Sequence, residues 1–263
     1  MDQISKADLH LHTTFSDGTA SVPDVLAHVA ASDLQVIAVT DHDTIAGALE
    51  ARRLADYFGV DVIVGEEVST AEGHLLALWI ETCLPPGRPA AETIAEVHAQ
   101  GGMCIAAHPY DWAVMSLGQA GLRERCTGQH AEPWQLDAIE VFNASLSWPR
   151  NACNRVAQQV AKEIGLPTIG GSDAHSLATI GRGYTLFNGT SALDLRRAIV
   201  NGATRWGGRS WSAAQYVDAS WRTVRQRSVW WTLRWACTDL PFLVQRPKQR
   251  AVQTQAAHET VAL

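Results

Sequence analysis

The sequence offers little for cross-linking. Its five cysteines (Cys83, Cys104, Cys126, Cys153 and Cys237) are scattered, odd in number and form no CxxC pair. That argues against a disulfide framework or a zinc knuckle and fits a reducing compartment. Long hydrophobic runs are also missing. The most apolar stretch, 228–244, contains Arg234, Asp239 and Pro241, and is too short and too polar to span a bilayer. The N-terminal residues MDQISKADLH lack the apolar core of a secretion signal. These absences predict a cytoplasmic chain. There is no internal repeat and no low-complexity block. At 46% hydrophobic and 18% charged residues, the composition excludes disorder throughout, collagen-like repeats and a coiled coil. The 263 residues allow one large domain or two small ones, with enough apolar material for a sizeable core.

A formal net charge of −6 does not suggest a nucleic-acid binder, but it conceals a split. Residues 1–204 carry 12 Lys and Arg against 24 Asp and Glu; residues 205–263 carry 9 against 3. Nine of the ten His lie in the first part and six of the ten Trp in the second. The split predicts an acidic, His-rich body over 1–204 and a basic, Trp-rich extension over 205–263.

Within the body, short apolar runs alternate with amphipathic ones. Strands are predicted over Ala7–His12, Val36–Thr40, Val60–Val64, His74–Ile80, Met103–Ala107, Ala138–Phe142 and Pro167–Gly170. Helices are predicted over Val22–Ser32, Ile45–Phe58, Ala90–Gln100, Asn151–Ile164 and Ala192–Asn201. Ser21 ahead of Pro23 and Asp24 marks a helix start, and Gly59, Gly101 and Gly165 follow helix ends. Seven strands alternating with helices over some 200 residues suggest an α/β barrel, with an open doubly wound sheet as the alternative.

Ligand-type side chains collect at the ends of these strands, where barrel enzymes build their sites. In strand one, alternation sends Asp8, His10 and His12 one way and Ala7, Leu9 and Leu11 the other. Asp17 follows in a Ser-Asp-Gly turn. His42 ends strand two, Glu66 and Glu67 strand three, His108 strand five, and Asp173 and His175 strand seven, while His74 opens strand four. A lone His is ordinarily a surface or satisfied core residue, and His28, His98, His130 and His258 are read that way. So many imidazoles and carboxylates at strand ends suit Zn²⁺, Mn²⁺ or Fe²⁺ rather than Ca²⁺, and exceed what one ion can use. Two or three divalent ions are therefore predicted.

The motifs DLHLHT (from Asp8), SDG (Ser16), AVTDHD (Ala38), GEEVS (Gly65), AHP (Ala107) and GSDAH (Gly171) resemble the polymerase and histidinol phosphatase (PHP) family over about residues 6–205. The resemblance implies a distorted (β/α)7 barrel with a trinuclear metal centre that hydrolyses phosphoesters, here carrying a C-terminal helical extension. It also implies the metal ligands His10, His12, Asp17, His42, Glu67, His74, His108, Asp173 and His175, with no position missing. Glu66 is the alternative to Glu67, and His98 a distant alternative to His74. Asp173 is the implied catalytic residue, orienting a nucleophilic hydroxide that bridges the ions. Arg182 and Arg150 are candidates for the substrate's phosphate. Glu140 is read either as a partner of a ligand His or as plain strand, and Trp112 as a base-stacking or a packing residue.

Some relatives, 5′→3′ exonucleases or nucleoside 3′,5′-bisphosphate phosphatases, carry a helical insertion between strand four and the His-Pro strand. Here only nine residues separate Ile80 from Ala90. The expected substrate is therefore a small phosphomonoester, nucleotides included, with those two activities as alternatives. In the extension, Val217, Trp221, Val224, Trp231 and Trp235 fall near one helical face, with Arg222, Arg225, Arg227 and Arg234 off it. Three readings stay open: Trp packing onto the barrel, contact with an anionic membrane surface, or a grip on nucleic acid. The last two would make the protein a binding module or scaffold rather than only an enzyme.

Overall fold

Helix ends form where their capping residues stand. In the computed structural model, which describes residues 3–126 and 135–226, the Ser21 side chain accepts from Asp24 N and starts α1 (Val22–Ala30). Gly59 and Gly165, both left-handed, end α2 (Ala46–Phe58) and α5 (Asn151–Ile164). The other helices are α3 (Ala90–Ala99), α4 (Gly118–Cys126), α6 (Ala192–Val200) and α7 (Ala213–Gln226). α4 escapes sequence reading because GQAGLRERC has no apolar stripe.

All seven expected strands form, though β1 runs over Ile4–Asp8, about three residues earlier than expected. The next six are β2 (Val36–Val39), β3 (Asp61–Ser69), β4 (His74–Leu78), β5 (Met103–Ala106), β6 (Ala138–Asn143) and β7 (Thr168–Gly171). Two further strands, β8 (Gly183–Asn188) and β9 (Arg205–Gly208), are additional. Two glycines in four residues make RWGG a weak strand former despite its Trp; it is a strand because β8 offers it a ladder. The order is β7-β6-β5-β4-β3-β2-β1-β8-β9. β1, β2 and β3 are mutually parallel, as are β5, β6 and β7, while β4 runs against both neighbours and β8 against β1. The reversal of β4 puts its first residue, His74, at the end of the barrel where the parallel strands finish.

The sheet curls into a nearly closed barrel. Thr185 of β8 clasps β7: its hydroxyl donates to Gly170 O (2.9 Å) and accepts from Gly170 N (3.0 Å). Above β1 the chain continues as a rung between two neighbours. Leu11 N donates to Thr40 Oγ1, Thr40 N to Leu11 O, and His12 N to Ala174 O. Strict alternation stops here, since Ala7 and Leu9 face the inner core and Leu11 the outer one. The inner core also takes Val36, Ala38, Ile63, Leu76, Ile105 and Phe187, and Leu195 and Ile199 of α6 close it. The outer core packs Ile37, Val39 and Val64 against α1, α2, α3 and α5.

The sheet does not stop at residue 204, because β9 extends it and Trp211 is buried. On α7, Val217 and Trp221 are exposed, at 70% and 65%, rather than packed on the barrel. Trp231 and Trp235 lie outside the described residues. No helix among the described residues is long and apolar enough to cross a membrane.

Thr185→Val keeps the side chain's shape but leaves both Gly170 groups without their partner. It should lower unfolding free energy by about 1–3 kcal/mol, measurable by denaturant titration.

Candidate metal centre

Period two along β3 separates two adjacent glutamates. Glu66 turns outward, accepting from Leu84 N (2.9 Å) and lying 3.3 Å from Cys83 Sγ. Glu67 turns into the barrel mouth and is 1% exposed. Its Oε2 is 3.1 Å from His10 Nε2, 3.3 Å from His12 Nε2 and 3.4 Å from His42 Nδ1. Its Oε1 is 2.9 Å from both His74 Nδ1 and His108 Nε2. Asp173 Oδ1 faces His12 Nε2 (3.3 Å), His10 Nε2 (3.6 Å) and His175 Nδ1 (3.6 Å). Asp17 Oδ2 lies 2.9 Å from His175 Nε2 and 3.7 Å from His42 Nε2.

Ligand atoms within 4.8 Å of one another form four overlapping groups: His12, Asp17, His42 and His175; His10, His12 and Asp173; His10, Glu67 and His108; and His42, Glu67 and His74. Their union is the nine residues implied by the motifs, while Glu66 and His98 stand outside. His98 instead pairs with Asp137 Oδ2 at 2.8 Å. Two ring nitrogens argue that the set suits cations. His12 Nε2 and His74 Nδ1 are buried and make no hydrogen bond, although a carboxylate oxygen lies within 3.3 Å of each. Imidazole nitrogens and carboxylate oxygens at this density are donors for divalent transition ions.

Charges follow the same logic. Burial disfavours ionised groups here, yet the imidazoles hold Asp17, Glu67 and Asp173 below the usual carboxylate range. Reciprocally, against the cost of burial, Asp17, Asp173 and Glu67 push His12 up to about 10. Asp173, Glu67 and Glu140 hold His10 well above the usual imidazole range. His42 is lowered, chiefly by burial.

A further layer of side chains orients the nine. Glu140 Oε1 is 3.1 Å from His10 Nδ1, and its Oε2 accepts from His108 N (2.8 Å) and Asn143 Nδ2 (3.0 Å). Of the two readings of Glu140, partner of a ligand-type His is the one observed. Asn143 Nδ2 (3.2 Å) and Ser145 Oγ (2.9 Å) both donate to Asp173 Oδ2. Asp41 accepts from Thr13 N, Thr13 Oγ1 and Ser16 Oγ, tying down the loop that carries Asp17. His108 and Asp173 have φ of 26° and 51°, a left-handed backbone that costs energy outside glycine. At Gly171, a Cβ would lie 2.5 Å from Glu140 Oε1 and 2.7 Å from His10 Cβ, so only glycine lets β7 approach this close.

Comparison with known proteins agrees with the geometry. The PHP domain model matches residues 8–131 and a PHP-associated model residues 152–204. An uncharacterised protein of Methanocaldococcus jannaschii is 35% identical over 150 residues, covering 53% of this chain and 82% of that one. The chain belongs to the PHP family. It is also similar to a phosphoribosyl 1,2-cyclic phosphate 1,2-diphosphodiesterase of Eggerthella lenta, 39% identical over 84 residues (30% of this chain, 32% of that one). A 5′-3′ exoribonuclease of Haemophilus influenzae is 45% identical over 65 residues (25% and 24%). The chain thus spans a third or less of these two enzymes. The PHP barrel superposes on a two-domain Bacteroides vulgatus protein containing a predicted PHP-like metal-dependent phosphoesterase, with TM-score 0.60 and 22% identity (79% of this chain, 66% of that one).

Around this PHP site stand residues that sequence reading singled out for other roles or missed. Arg150 is half-buried and pairs with Asp111 Oδ2 at 2.6 Å; it also donates to the Tyr216 hydroxyl. Arg182 Nη2 donates to Ser210 O, and its buried Nε has no partner. Trp112 is 46% exposed beside the His108 loop. Asn143, Ser145, Trp211 and Tyr216 went unnoticed, since a lone amide, hydroxyl or indole carries no signal until the fold sets it against a ligand-type residue or its neighbour.

Each raised imidazole must lose its proton before it can hold an ion. Loading Mn²⁺ should therefore release protons, and affinity should climb as pH rises above neutrality and the raised imidazoles of His10, His12, His108 and His175 give up theirs. Calorimetric titration in two buffers of different ionisation enthalpy measures the release; identical heats in both would contradict it. Glu66 gives a second test. Burial pushes its carboxyl up to about 7 from 4.5. The folded chain then binds this proton more tightly than the unfolded one, so stability falls as pH rises from about 4.5 to 7. Glu66→Gln should flatten that decline in melting temperature relative to wild type.

Proposed function

We propose that this PHP-family hydrolase cleaves a small phosphomonoester, nucleotides included, at a centre of two or three divalent ions (Mn, Zn or Fe). The observation that carries the reading is the hub at Glu67, with five imidazoles around its two oxygens and two further carboxylates, Asp17 and Asp173, beyond them. A carboxylate so surrounded suits a bridging ligand. The proposed ligands are His10, His12, Asp17, His42, Glu67, His74, His108, Asp173 and His175. Ions bound there would lower the pKa of a shared water and offset charge developing on the phosphoryl oxygens.

The chain's own groups divide the remaining work. His10, Glu67 and His108 are 0–5% exposed and form the floor. The side chains of His42 and His175 are 29% and 21% exposed and form the entrance. A phosphoryl group therefore approaches from the Asp17–His42–His175 side. Asp173, with Oδ2 taken up by Ser145 and Asn143, keeps Oδ1 for an ion and for orienting the attacking water. Arg150 spends two of its five donors on Asp111 and Tyr216, leaving others for a phosphoryl oxygen. Arg182 is the second candidate, through its unpartnered Nε.

The nucleotide reading draws on exposed aromatics. Phe15, Trp112 and Trp148 are 45%, 46% and 85% exposed, on loops that follow β1, β5 and β6 at the barrel end holding the site. Such faces stack on bases, which also keeps exonuclease and bisphosphate phosphatase activity in view. The extension over 205–263 is proposed to be distinct in charge, with its role in binding nucleic acid or membrane carried beyond residue 226 and independent of hydrolysis. Because β9 and Trp211 belong to the barrel, the deletion that separates the two roles begins at residue 227.

The purified protein should hold more than one equivalent of Mn, Zn or Fe by elemental analysis. His10→Ala and Asp173→Asn should each reduce phosphate release from p-nitrophenyl phosphate or nucleotides by orders of magnitude. Absence of metal, together with no activity on any phosphoester after adding divalent ions, would sink the proposal.

A further inference from the structure

Sequence alone separates the chain at residue 204, yet the segment beyond it reaches the site. Trp211 N donates to Ala144 O (2.7 Å), and Trp211 Nε1 donates to Ser172 O (3.1 Å), the residue before Asp173. The Trp211 ring stands edge-on to His175, with centroids 6.1 Å apart. Five residues on, the Tyr216 hydroxyl donates to Ser145 O, and Ser145 Oγ donates to Asp173 Oδ2. Tyr216 is itself gripped, since Arg150 donates to its hydroxyl and lies 5.7 Å from its ring centroid. Arg150 is fixed in turn by Asp111, which is 3% exposed. Asp111 N donates to His108 O, so the chain of contacts ends beside another ligand-type residue. The contacts thus run from the His108 loop, through the β6 loop, to α7 and back to Asp173.

Asp173 needs such support. Its φ of 51° is unfavourable for a side chain with a Cβ, and a carboxylate with both oxygens free would rotate. Two donors on Oδ2 leave only Oδ1 turned to His10, His12 and His175.

We propose that the segment Trp211–Tyr216 is a positioning element of the active site. Tyr216, held by Arg150 and Asp111, fixes Ser145; Ser145 and Trp211 fix Asp173 so that it offers one oxygen, Oδ1, to the ions. Arg150 is then a positioning residue as well as a candidate for phosphate. The inference rests on the metal-centre reading above, and adds to it the contacts of Trp211 with Ala144, Ser172 and His175 and of Tyr216 with Ser145.

The test measures metal binding on the full-length protein. Chelator-stripped wild type, Ser145→Ala, Tyr216→Phe and Trp221→Ala are titrated with Co²⁺, following visible absorption and heat, alongside thermal melts. Ser145→Ala should weaken one ion by about 10–100-fold and alter its absorption band, as loss of a partner to a ligand does. Tyr216→Phe keeps the ring and removes only the hydroxyl, and should weaken the same ion by about 10-fold. Trp221→Ala, on the exposed face of α7, should match wild type. Should Ser145→Ala lack a cooperative melt, Tyr216→Phe decides alone. Wild-type affinity and spectrum in Tyr216→Phe, with or without a lower melting temperature, would overturn the proposal and leave the contacts as a dock for α7. If wild type itself binds no Co²⁺, the metal-centre reading falls and takes this inference with it.

Discussion

A carboxylate cannot be buried without compensation, and Glu67 is the point where this protein meets that constraint. It is buried at the barrel mouth with five imidazole rings around two oxygens. Neutral imidazoles offer donors but no net charge. Protonated ones balance the carboxylates while crowding one another, as His12 and His42 do with ring centroids 4.7 Å apart. Divalent cations meet both requirements: they satisfy the carboxylates and accept the ring lone pairs. Without them the centre holds protons in their place, which is why its carboxylates sit low and most of its imidazoles high. Of the 24 acidic residues in the body, Asp17, Glu67 and Asp173 are the ones whose charge ions held there would offset.

The rest of the barrel serves that cluster. β4 runs backward and so delivers His74 to the end where the parallel strands finish. The rung at Leu11 holds the extended segment that carries His10 and His12, bonded to Thr40 on one side and Ala174 on the other. Glu140, Asn143, Ser145 and Asp41 take no place among the nine, yet each holds one of them or its loop by a hydrogen bond. Of the four non-glycine residues with left-handed φ among the described residues, His108 and Asp173 belong to the cluster and Asp43 adjoins it at His42, while Trp79 lies at the far end of β4. Gly171 lets β7 pass within contact distance of His10 and Glu140.

Much of this could be read from the chain. Ligand-type residues at strand ends identify themselves, because His-x-His, Thr-Asp-His-Asp and Ser-Asp-Ala-His are rare where apolar runs stop. Helices with caps and glycine stops fell within a residue or two of their expected bounds. β8 was missed because GYTLFN is a short run with Gly183 at its start and alternating burial, and β9 because two of the four residues in Arg-Trp-Gly-Gly are glycines and the strand rests on its pairing with β8. The choice between Glu66 and Glu67 needed the parity of β3, which decides inside from outside one residue at a time.

By itself the sequence determined the alternation of strands and helices, the identity of the ligand-type residues and the charge split at residue 204. These depend on local pattern and on residue chemistry, both legible without coordinates. Only the tertiary structure decided that the split is no structural border, that Tyr216 and Trp211 lean on the residues flanking Asp173, and that Glu140 holds His10. Those pairings join residues 39 to 130 positions apart. No local rule couples such positions; closing the barrel brings them together, and a hydroxyl or an indole N–H shows its partner only when the two backbones meet.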